Sequence, residues 1–235
     1  LIGTTSILKK YLAAHFPATF FAAIERQKPS VVVVISPNHF NRGPAPVITT
    51  NLDWKTPTGV TLTDHELTAA LVERGLAVAH EEVIKEEHGL YSLLPFINRS
   101  LPDTRVIALA LKEPAPSSTI DELAGALSEI LPPDAVIVAS VDFSHYQTAP
   151  VANFHDEYAT HIIRSFDYDR LDKLEIDSPA SVRLLLKLMD RFGAKKIAYE
   201  LHTNAAELTF NPLPRISPAI IHPTLSRETK THHRS

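Results

Sequence analysis

The 235-residue sequence contains no cysteine, only 7 glycines and no apolar run long enough to span a membrane. Without cysteine, disulfides, thiolate metal sites and a cysteine nucleophile are excluded. Because glycine is scarce, neither a dinucleotide-binding loop nor a P-loop can be assembled. The Gly-x-Ser-x-Gly elbow of many serine hydrolases is also missing. Histidine and carboxylate side chains are left as the main candidates for chemistry.

The composition favours one sizeable globular domain. Apolar residues make up 44% of the chain, charged residues 21%, and the net charge is -4. This charge gives no electrostatic reason to expect nucleic acid or an anionic membrane surface as a partner. Since no linker-like run is found, we expect one domain over residues 1–226 and a polar tail over residues 227–235. We expect a cytoplasmic protein, although the start at Leu1 leaves a removed signal or anchor open.

Hydrophobic patterns predict an alternation of strands and helices. Unbroken β-branched runs indicate strands that are covered on both faces, at residues 31–35 and 135–139. Further strands are predicted at residues 105–110, 196–201 and 216–221. Helical spacing of apolar residues predicts helices over residues 12–24, 64–72 and 120–130. This order indicates an α/β fold, a single three-layer domain whose mainly parallel or mixed central sheet is flanked by helices.

Three histidines stand where a predicted element meets a turn. His39 follows the first strand, His145 follows the strand at residues 135–139, and His88 precedes an apolar run that predicts a helix. The carboxyl ends of buried strands are where α/β folds place their chemistry, and imidazole both binds metals and titrates near neutral pH. We therefore predict that these three histidines meet in one pocket, together with His202 at the end of a later strand.

Each of these residues also has a structural interpretation. His39 could bond a loop carbonyl, and His88 could cap the helix that follows it. Asp142, three residues before His145, could accept the ring N–H and fix the tautomer of that histidine. Asp142 could equally cap the next helix. The sequence leaves both interpretations of Asp142 open.

Four segments, in this order, resemble signatures of the MEMO family, whose bacterial members are called AmmeMemoRadiSam system protein B. They are SPNHF at residues 36–40, WKTPTG at 54–59, EHGLYSLLPF at 87–96 and SVDFSHY at 140–146. The resemblance covers residues 9–221, and four ordered signatures are more specific than any single motif. It implies a fold similar to the class III extradiol dioxygenases, with iron or copper bound in a histidine-rich pocket.

The resemblance also implies roles for individual residues. His39 matches a metal ligand, and Glu207 falls near the position of another. His145 matches the acid/base histidine with Asp142 beside it, and His88 matches a further catalytic histidine of the pocket. His202 is expected among the groups that bind the substrate.

One departure from the family pattern lies near the amino terminus, where Lys9 and Lys10 occupy the place of the first metal-binding histidine. A lysine ammonium has no lone pair for a metal. The resemblance therefore leaves two outcomes for the site. Either iron or copper is bound by fewer ligands, or no metal is bound and Lys10 supplies charge for an anionic substrate.

Three functions are compatible with this resemblance, and whether the chain is an enzyme stays open among them. We rank first a metal-dependent redox or oxygen-using protein, similar to a non-haem iron oxidoreductase, that acts on an unknown small molecule. The second is an extradiol ring-cleaving dioxygenase. The third is a non-catalytic metal- or ligand-binding partner of a radical SAM system.

Overall fold

The computed structural model describes residues 17–194 and, for residues 196–202 and 219–224, the backbone. The strands are β1 (Val31–Pro37), β2 (Val47–Thr49), β3 (Trp54–Thr56), β4 (Gly59–Thr61), β5 (Val78–Ala79), β6 (Arg105–Leu111), β7 (Val136–Ala139), β8 (Lys196–His202) and β9 (Ala219–Thr224). The helices are α1 (residues 17–24), α2 (His65–Glu73), α3 (Glu81–Ile84), α4 (His88–Tyr91), α5 (Leu94–Ser100), α6 (Ser117–Ile130), α7 (Ala149–Arg164) and α8 (Pro179–Arg191). Short 3-10 turns lie at Glu25–Gln27 and Leu171–Lys173.

The central sheet has five strands in the order β5-β2-β6-β1-β7. β1 runs parallel to both of its neighbours, β6 and β7, whereas β2 is parallel to β5 and antiparallel to β6. The sheet is therefore mixed, as the alternation of strands and helices allowed. All seven residues of β1 are buried, which agrees with the continuous apolar run in its sequence.

Helices cover both faces of this sheet. Val33 and Ile35 of β1 face a core cluster that includes residues of α2, α6 and α8. Val32 and Val34 face the opposite cluster, to which α1, α4 and α5 contribute. Because successive side chains of a strand point to opposite faces, one β-branched run serves both cores. The structure thus confirms the predicted α/β fold, in which a mixed sheet lies between two layers of helices.

Most predicted elements are found close to their expected positions. The strand predicted at residues 216–221 is described from Ala219 onward as β9, and the helix predicted over residues 12–24 is described from residue 17. The short strands β2 to β5 and the helix α8 were not predicted. No helix in the described ranges is both long enough and apolar enough to cross a membrane.

The parallel strands β1 and β7 bring two loops to the same edge of the sheet. β1 ends at Pro37 and β7 ends at Ala139, so the chain segments around His39 and Asp142 both follow carboxyl ends of neighbouring strands. The helix α4 packs against β1 beside them, where Gly89 approaches Ser36 so closely that a Cβ atom would overlap the Ser36 hydroxyl. The close packing of α4 against β1 therefore requires a glycine at position 89, within the EHG segment.

We expect Gly89→Ala to lower the free energy of unfolding by about 1–3 kcal/mol, because overpacking forces α4 away from β1. The matched control is Gly125→Ala within α6, where the added Cβ meets only ordinary contacts, 3.5 Å or more from Arg191. That control should be neutral or stabilising by up to about 1 kcal/mol. Denaturant melts of the two variants decide the point, and equal stability of both would contradict the close approach.

Candidate metal centre

The loop that carries His39 is fixed by backbone and amide hydrogen bonds. The Asn38 N–H donates to the Leu111 carbonyl at 2.6 Å, which continues the pairing of β1 with β6. The Asn38 side chain donates to the Arg42 carbonyl at 2.7 Å and accepts from the Arg42 N–H at 3.1 Å. The Asn38 side chain thereby ties the beginning of the turn to Arg42 at its end, which fixes the backbone that carries the His39 ring.

Glu87 anchors this ring from one side. Its carboxylate lies 2.5 Å from His39 Nδ1 and accepts the backbone N–H groups of His39 at 3.0 Å and Gly89 at 3.1 Å. The Glu87 side chain is almost fully buried, at 1% exposure. Burial alone would raise the pKa of Glu87, but these hydrogen bonds and the nearby His39 charge lower it below its ordinary value. Glu87 is therefore a buried carboxylate whose lone pairs are already engaged by N–H groups.

The other ring nitrogen of His39 faces a second carboxylate. His39 Nε2 lies 3.4 Å from Asp177 Oδ2. Burial lowers the pKa of His39, but the hydrogen bonds and negative charges of Asp177 and Glu87 outweigh it and raise that pKa to about 10. In the ion-free protein, the ring is thus a cation held between two carboxylates.

Asp177 also joins the loop that follows β7. The Asp177 N–H donates to the Asp142 carbonyl at 3.0 Å, and the Asp142 N–H donates to Asp177 Oδ1 at 3.1 Å. One ligand atom each of Asp142, His145 and Asp177 lies within 4.8 Å of the others. Burial, together with the Asp177 charge, raises the pKa of Asp142 to about 7, although His39 opposes the shift. This is a group of three titratable side chains, connected to His39 through Asp177.

His88 stacks on the His39 ring at the more exposed side of the site. The ring centroids are 4.0 Å apart, and the two planes are inclined by 33°. Burial and the positive charge of His39 lower the pKa of His88 below its ordinary value, even though Glu87 and Asp177 pull it upward. About half of the His88 side chain remains accessible, with an exposure of 51%. A neutral, accessible imidazole can accept or deliver a proton.

The structure shows whether His88 and Asp142 cap helices. Glu87, and not His88, caps α4, because the Glu87 carboxylate accepts the Gly89 N–H and His88 is the first helical residue. The helix that follows Asp142 begins at Ala149 with Thr148 at its N-cap, so Asp142 does not cap it. The capping interpretations of His88 and Asp142 are both wrong.

Two groups of side chains could hold a metal ion by proximity, namely His39 with Glu87 and His88, and Asp142 with His145 and Asp177. The first group is the poorer candidate, because the Glu87 oxygens already accept three N–H groups. Its arrangement is instead that of a carboxylate that orients a metal-binding histidine through the opposite ring nitrogen. The open donors of the site therefore lie on the side of His39 Nε2, Asp177 and the Asp142–His145 pair.

The spacing on that side fits a shared metal ion. Ligand nitrogen and oxygen atoms about 2.1 Å from one metal lie roughly 3.0–3.4 Å apart at octahedral or tetrahedral angles. The 3.4 Å between His39 Nε2 and Asp177 Oδ2 agrees with this value and is long for a charge-assisted hydrogen bond. Imidazole with carboxylate is also a donor set used for iron, zinc and copper. The residues present thus fit the metal that the family resemblance implied.

The structure describes the side chains of four of the residues predicted for the site. His39, His88, Asp142 and His145 lie at this edge of the sheet, with Asp177 linking the two histidine-bearing loops. His202 is the last residue of β8, where the backbone alone is described. Glu207 and Lys10 lie outside the described residues, so their predicted roles stay predictions.

Sequence reasoning missed the two carboxylates that organise the site. Glu87 lies inside the EHGLYSLLPF segment, where nothing in the sequence distinguishes it from the neighbouring exposed acids. Asp177 precedes Ser178 and Pro179, and serine followed by proline is a signature of a helix start. That signature predicts an aspartate directly before a helix, but it does not predict that this aspartate lies beside His39.

A family model described as Memo-like protein matches residues 10–211 of this chain. The chain belongs to the Memo family. A MEMO1 family protein of Caldivirga maquilingensis is 31% identical over 160 residues, covering 63% of this chain and 55% of the relative. One of Thermotoga maritima is 28% identical over 152 residues, covering 63% and 54%. The chain therefore spans little more than half the length of these Memo relatives.

A solved structure also shares the Memo chain's fold. The crystal structure of an uncharacterized protein from Escherichia coli K12 aligns with a TM-score of 0.56, covering 85% of this chain and 90% of that one. The sequence identity is 16%, so this likeness concerns the fold alone.

Asp142 gives the site a predicted pH dependence. Because its folded pKa is about 7 against an ordinary value of 3.8, the folded protein keeps a proton that the unfolded chain loses in between. The contribution of Asp142 to stability is therefore full below about pH 4 and falls as the pH rises to about 7. Asp142→Asn should fold and, at pH 8, should be more stable than the unaltered metal-free protein by on the order of 2 kcal/mol.

Thermal melts of both proteins between pH 4 and pH 8 test this expectation. The difference in melting temperature should grow with pH and level off above about pH 7. A difference that is the same at every pH would contradict the raised pKa of Asp142. An unfolded variant would show instead that Asp142 is needed for the fold.

Proposed function

We propose that this Memo family chain binds one divalent transition metal ion between His39 Nε2 and Asp177 and uses it in redox or oxygen chemistry on a small molecule. The observation that supports this most strongly is the two-sided environment of the His39 ring. Buried Glu87 takes Nδ1, which leaves Nε2 directed at Asp177, 3.4 Å away. A carboxylate behind a histidine is the usual partner of a metal ligand, since it fixes the tautomer and makes the other nitrogen a better donor.

The proposed ligand set combines described and predicted residues. His39 and Asp177 supply one nitrogen and one oxygen donor from the described part of the site. Glu207 is proposed as a further oxygen donor, on the family resemblance alone. Asp177 would then compensate for the histidine that Lys9 and Lys10 replace, and the resulting mixture of nitrogen and oxygen donors suits iron in particular, with copper as the second choice.

A bound ion of this kind would supply Lewis acidity and electron transfer. Binding at Nε2 requires that His39 give up the proton that it holds between the two carboxylates. The Glu87 carboxylate would keep Nδ1–H in place throughout, so the ring cannot turn away. Asp177 would keep its second oxygen on the Asp142 N–H, which limits its rotation as well.

Two histidines remain for proton transfer. His145 is proposed as the acid/base group, with Asp142 in the same cluster to accept or balance its proton. His88 is proposed as a second proton-transfer group, because its ring is neutral, accessible and in contact with the His39 ring. A substrate that approaches from the exposed side of His88 would then meet a neutral imidazole that can accept a proton beside the metal ligands. The names of the Memo relatives include no substrate. Ring cleavage is therefore one of several reactions that this arrangement could perform.

Metal analysis of untagged protein, followed by titration with Fe²⁺ and Zn²⁺, tests the proposed function. We expect one ion per chain, and Asp177→Ala should weaken the binding by at least about tenfold. Oxygen uptake by the Fe²⁺-loaded protein in the presence of candidate small molecules would then separate an enzyme from a binding protein. Absence of stoichiometric metal after titration would overturn the proposal, and tight metal without any turnover would favour the non-catalytic alternative.

A further inference from the structure

The site depends on the distance between two loops that are far apart in sequence. His39 lies in the turn after β1, whereas Asp177 lies directly before α8. The atoms that face each other, His39 Nε2 and Asp177 Oδ2, belong to side chains 3.4 Å apart without a strong direct bond. The Asp142–Asp177 hydrogen bonds hold Asp177 to the loop after β7, and a further set of contacts ties the start of α8 to the His39 turn.

Glu113, two residues beyond the end of β6, contacts both loops. Its main chain pairs with the side chain of Asn41, because Asn41 Nδ2 donates to the Glu113 carbonyl at 2.7 Å and the Glu113 N–H donates to Asn41 Oδ1 at 2.9 Å. Asn41 has a φ of 49°, a left-handed conformation that asparagine tolerates better than most residues. The amide thus imitates a neighbouring strand and ties the His39 turn to Glu113.

The side chain of Glu113 reaches the other loop. Ser178 Oγ donates to Glu113 Oε1 at 2.6 Å, and the Ala180 N–H donates to the same oxygen at 2.9 Å. Ser178 is fully buried and also caps α8 by accepting the Ser181 N–H at 3.1 Å. Glu113 therefore fixes the residues on the carboxyl side of Asp177, while the Asp142 carbonyl fixes the Asp177 N–H.

From these contacts we infer that Glu113 is a positioning residue that clamps the His39 turn to the amino end of α8 and so sets the separation of His39 and Asp177. The inference rests on the proposed function for its consequence, metal affinity, but the clamp itself is a property of the metal-free fold. Its action is divided: the backbone of Glu113 holds Asn41, and the carboxylate holds Ser178 and Ala180. Each half can therefore be removed separately.

Pulsed electron paramagnetic resonance measures the distance between the two loops in the absence of metal. Since the chain has no cysteine, Phe40→Cys and Glu175→Cys place two spin labels on exposed positions beside the two loops. We expect Glu113→Ala to broaden the distribution of label distances, and Glu113→Gln, which keeps an acceptor oxygen, to preserve it. Asn41→Gly removes the amide while allowing the left-handed backbone, and it should broaden the distribution from the other side of the clamp.

Zn²⁺ titration well below each melting temperature provides the second measurement. Glu113→Ala should weaken binding by about tenfold or more, the effect of removing a partner that orients a ligand, whereas Glu113→Gln should stay within about threefold of the unaltered protein. Glu129→Ala is the matched control. Glu129 lies on α6, and its exposed carboxylate pairs with Arg74.

The two measurements separate this inference from the proposed function. Unchanged label distances in both Glu113→Ala and Asn41→Gly would overturn the clamp. A broadened distribution with unchanged Zn²⁺ affinity would overturn the inference that the clamp sets the separation of the metal ligands His39 and Asp177. If Glu113→Ala fails to fold, Asn41→Gly alone decides the label measurement. Lack of metal binding by the unaltered protein would overturn the proposed function, while the label distances would still show whether Glu113 holds the loops.

Discussion

His39→Ala is expected to weaken metal binding by at least about a hundredfold, because it removes the Nε2 donor that faces Asp177, together with the Nδ1 atom that Glu87 holds. Loss of the ring also leaves Glu87 buried without its principal partner and Asp177 without a facing donor. The change is measured by titration with Fe²⁺ or Zn²⁺, monitored by isothermal calorimetry. No other single substitution in the described site should cost as much affinity.

A matched control keeps the chemistry of the substitution constant. His65→Ala removes an exposed histidine that lies 3.3 Å from Asp53, a carboxylate on the surface. The metal affinity and stoichiometry of the His65→Ala variant should equal those of the unaltered protein. If His39→Ala retained full binding, or if His65→Ala lost it, the ion would bind elsewhere and the proposed centre would be wrong.

Glu87→Gln is expected to lower the free energy of unfolding by about 1–3 kcal/mol, the typical cost of leaving a buried hydrogen-bonding group without its partner. A glutamine amide places one N–H₂ group where a carboxylate oxygen accepts hydrogen bonds, so at least one donor among His39 N, His39 Nδ1 and Gly89 N loses its acceptor. Metal affinity should fall by about 10- to 100-fold as well, since the Nε2 donor is no longer oriented.

Glu86→Gln is the natural control for this variant. Glu86 is the preceding residue, half exposed, and its partner is the surface side chain of Arg42. Surface ion pairs contribute about 0–1 kcal/mol, so this variant should melt close to the unaltered protein. Denaturant unfolding of both variants measures the difference. Equal stabilities would mean that Glu87 is not the buried anchor of His39.

The sequence predicted the architecture well because the signals were strong and local. The strand runs at residues 31–35 and 135–139 are continuous and β-branched, and short apolar runs of this composition favour buried strands. The strands β2 to β5 were missed because they contain only two or three residues each, too few for a period to appear. Their pairing depends on neighbours that are distant in sequence.

The histidines of the site were predicted, but the carboxylates that organise them were not. His39 and His145 follow strands whose ends could be read from the sequence, and the sheet places both at one edge. Asp177 follows no strand; it arrives at His39 because α8 packs across the same sheet, a tertiary arrangement with no local pattern. Glu87 is a single member of an acidic run, and only the fold shows that it is buried while Glu86 remains exposed.

Anomalous diffraction from a crystal of the zinc-loaded protein would locate the metal ion relative to His39 and Asp177. We expect one strong peak per chain within bonding distance of His39 Nε2 and an Asp177 oxygen, with the Glu87 carboxylate still bonded to Nδ1. A peak on the Glu87 side of the ring, between Glu87 and His88, would contradict it. So would a fully loaded crystal in which the metal touches neither His39 nor Asp177.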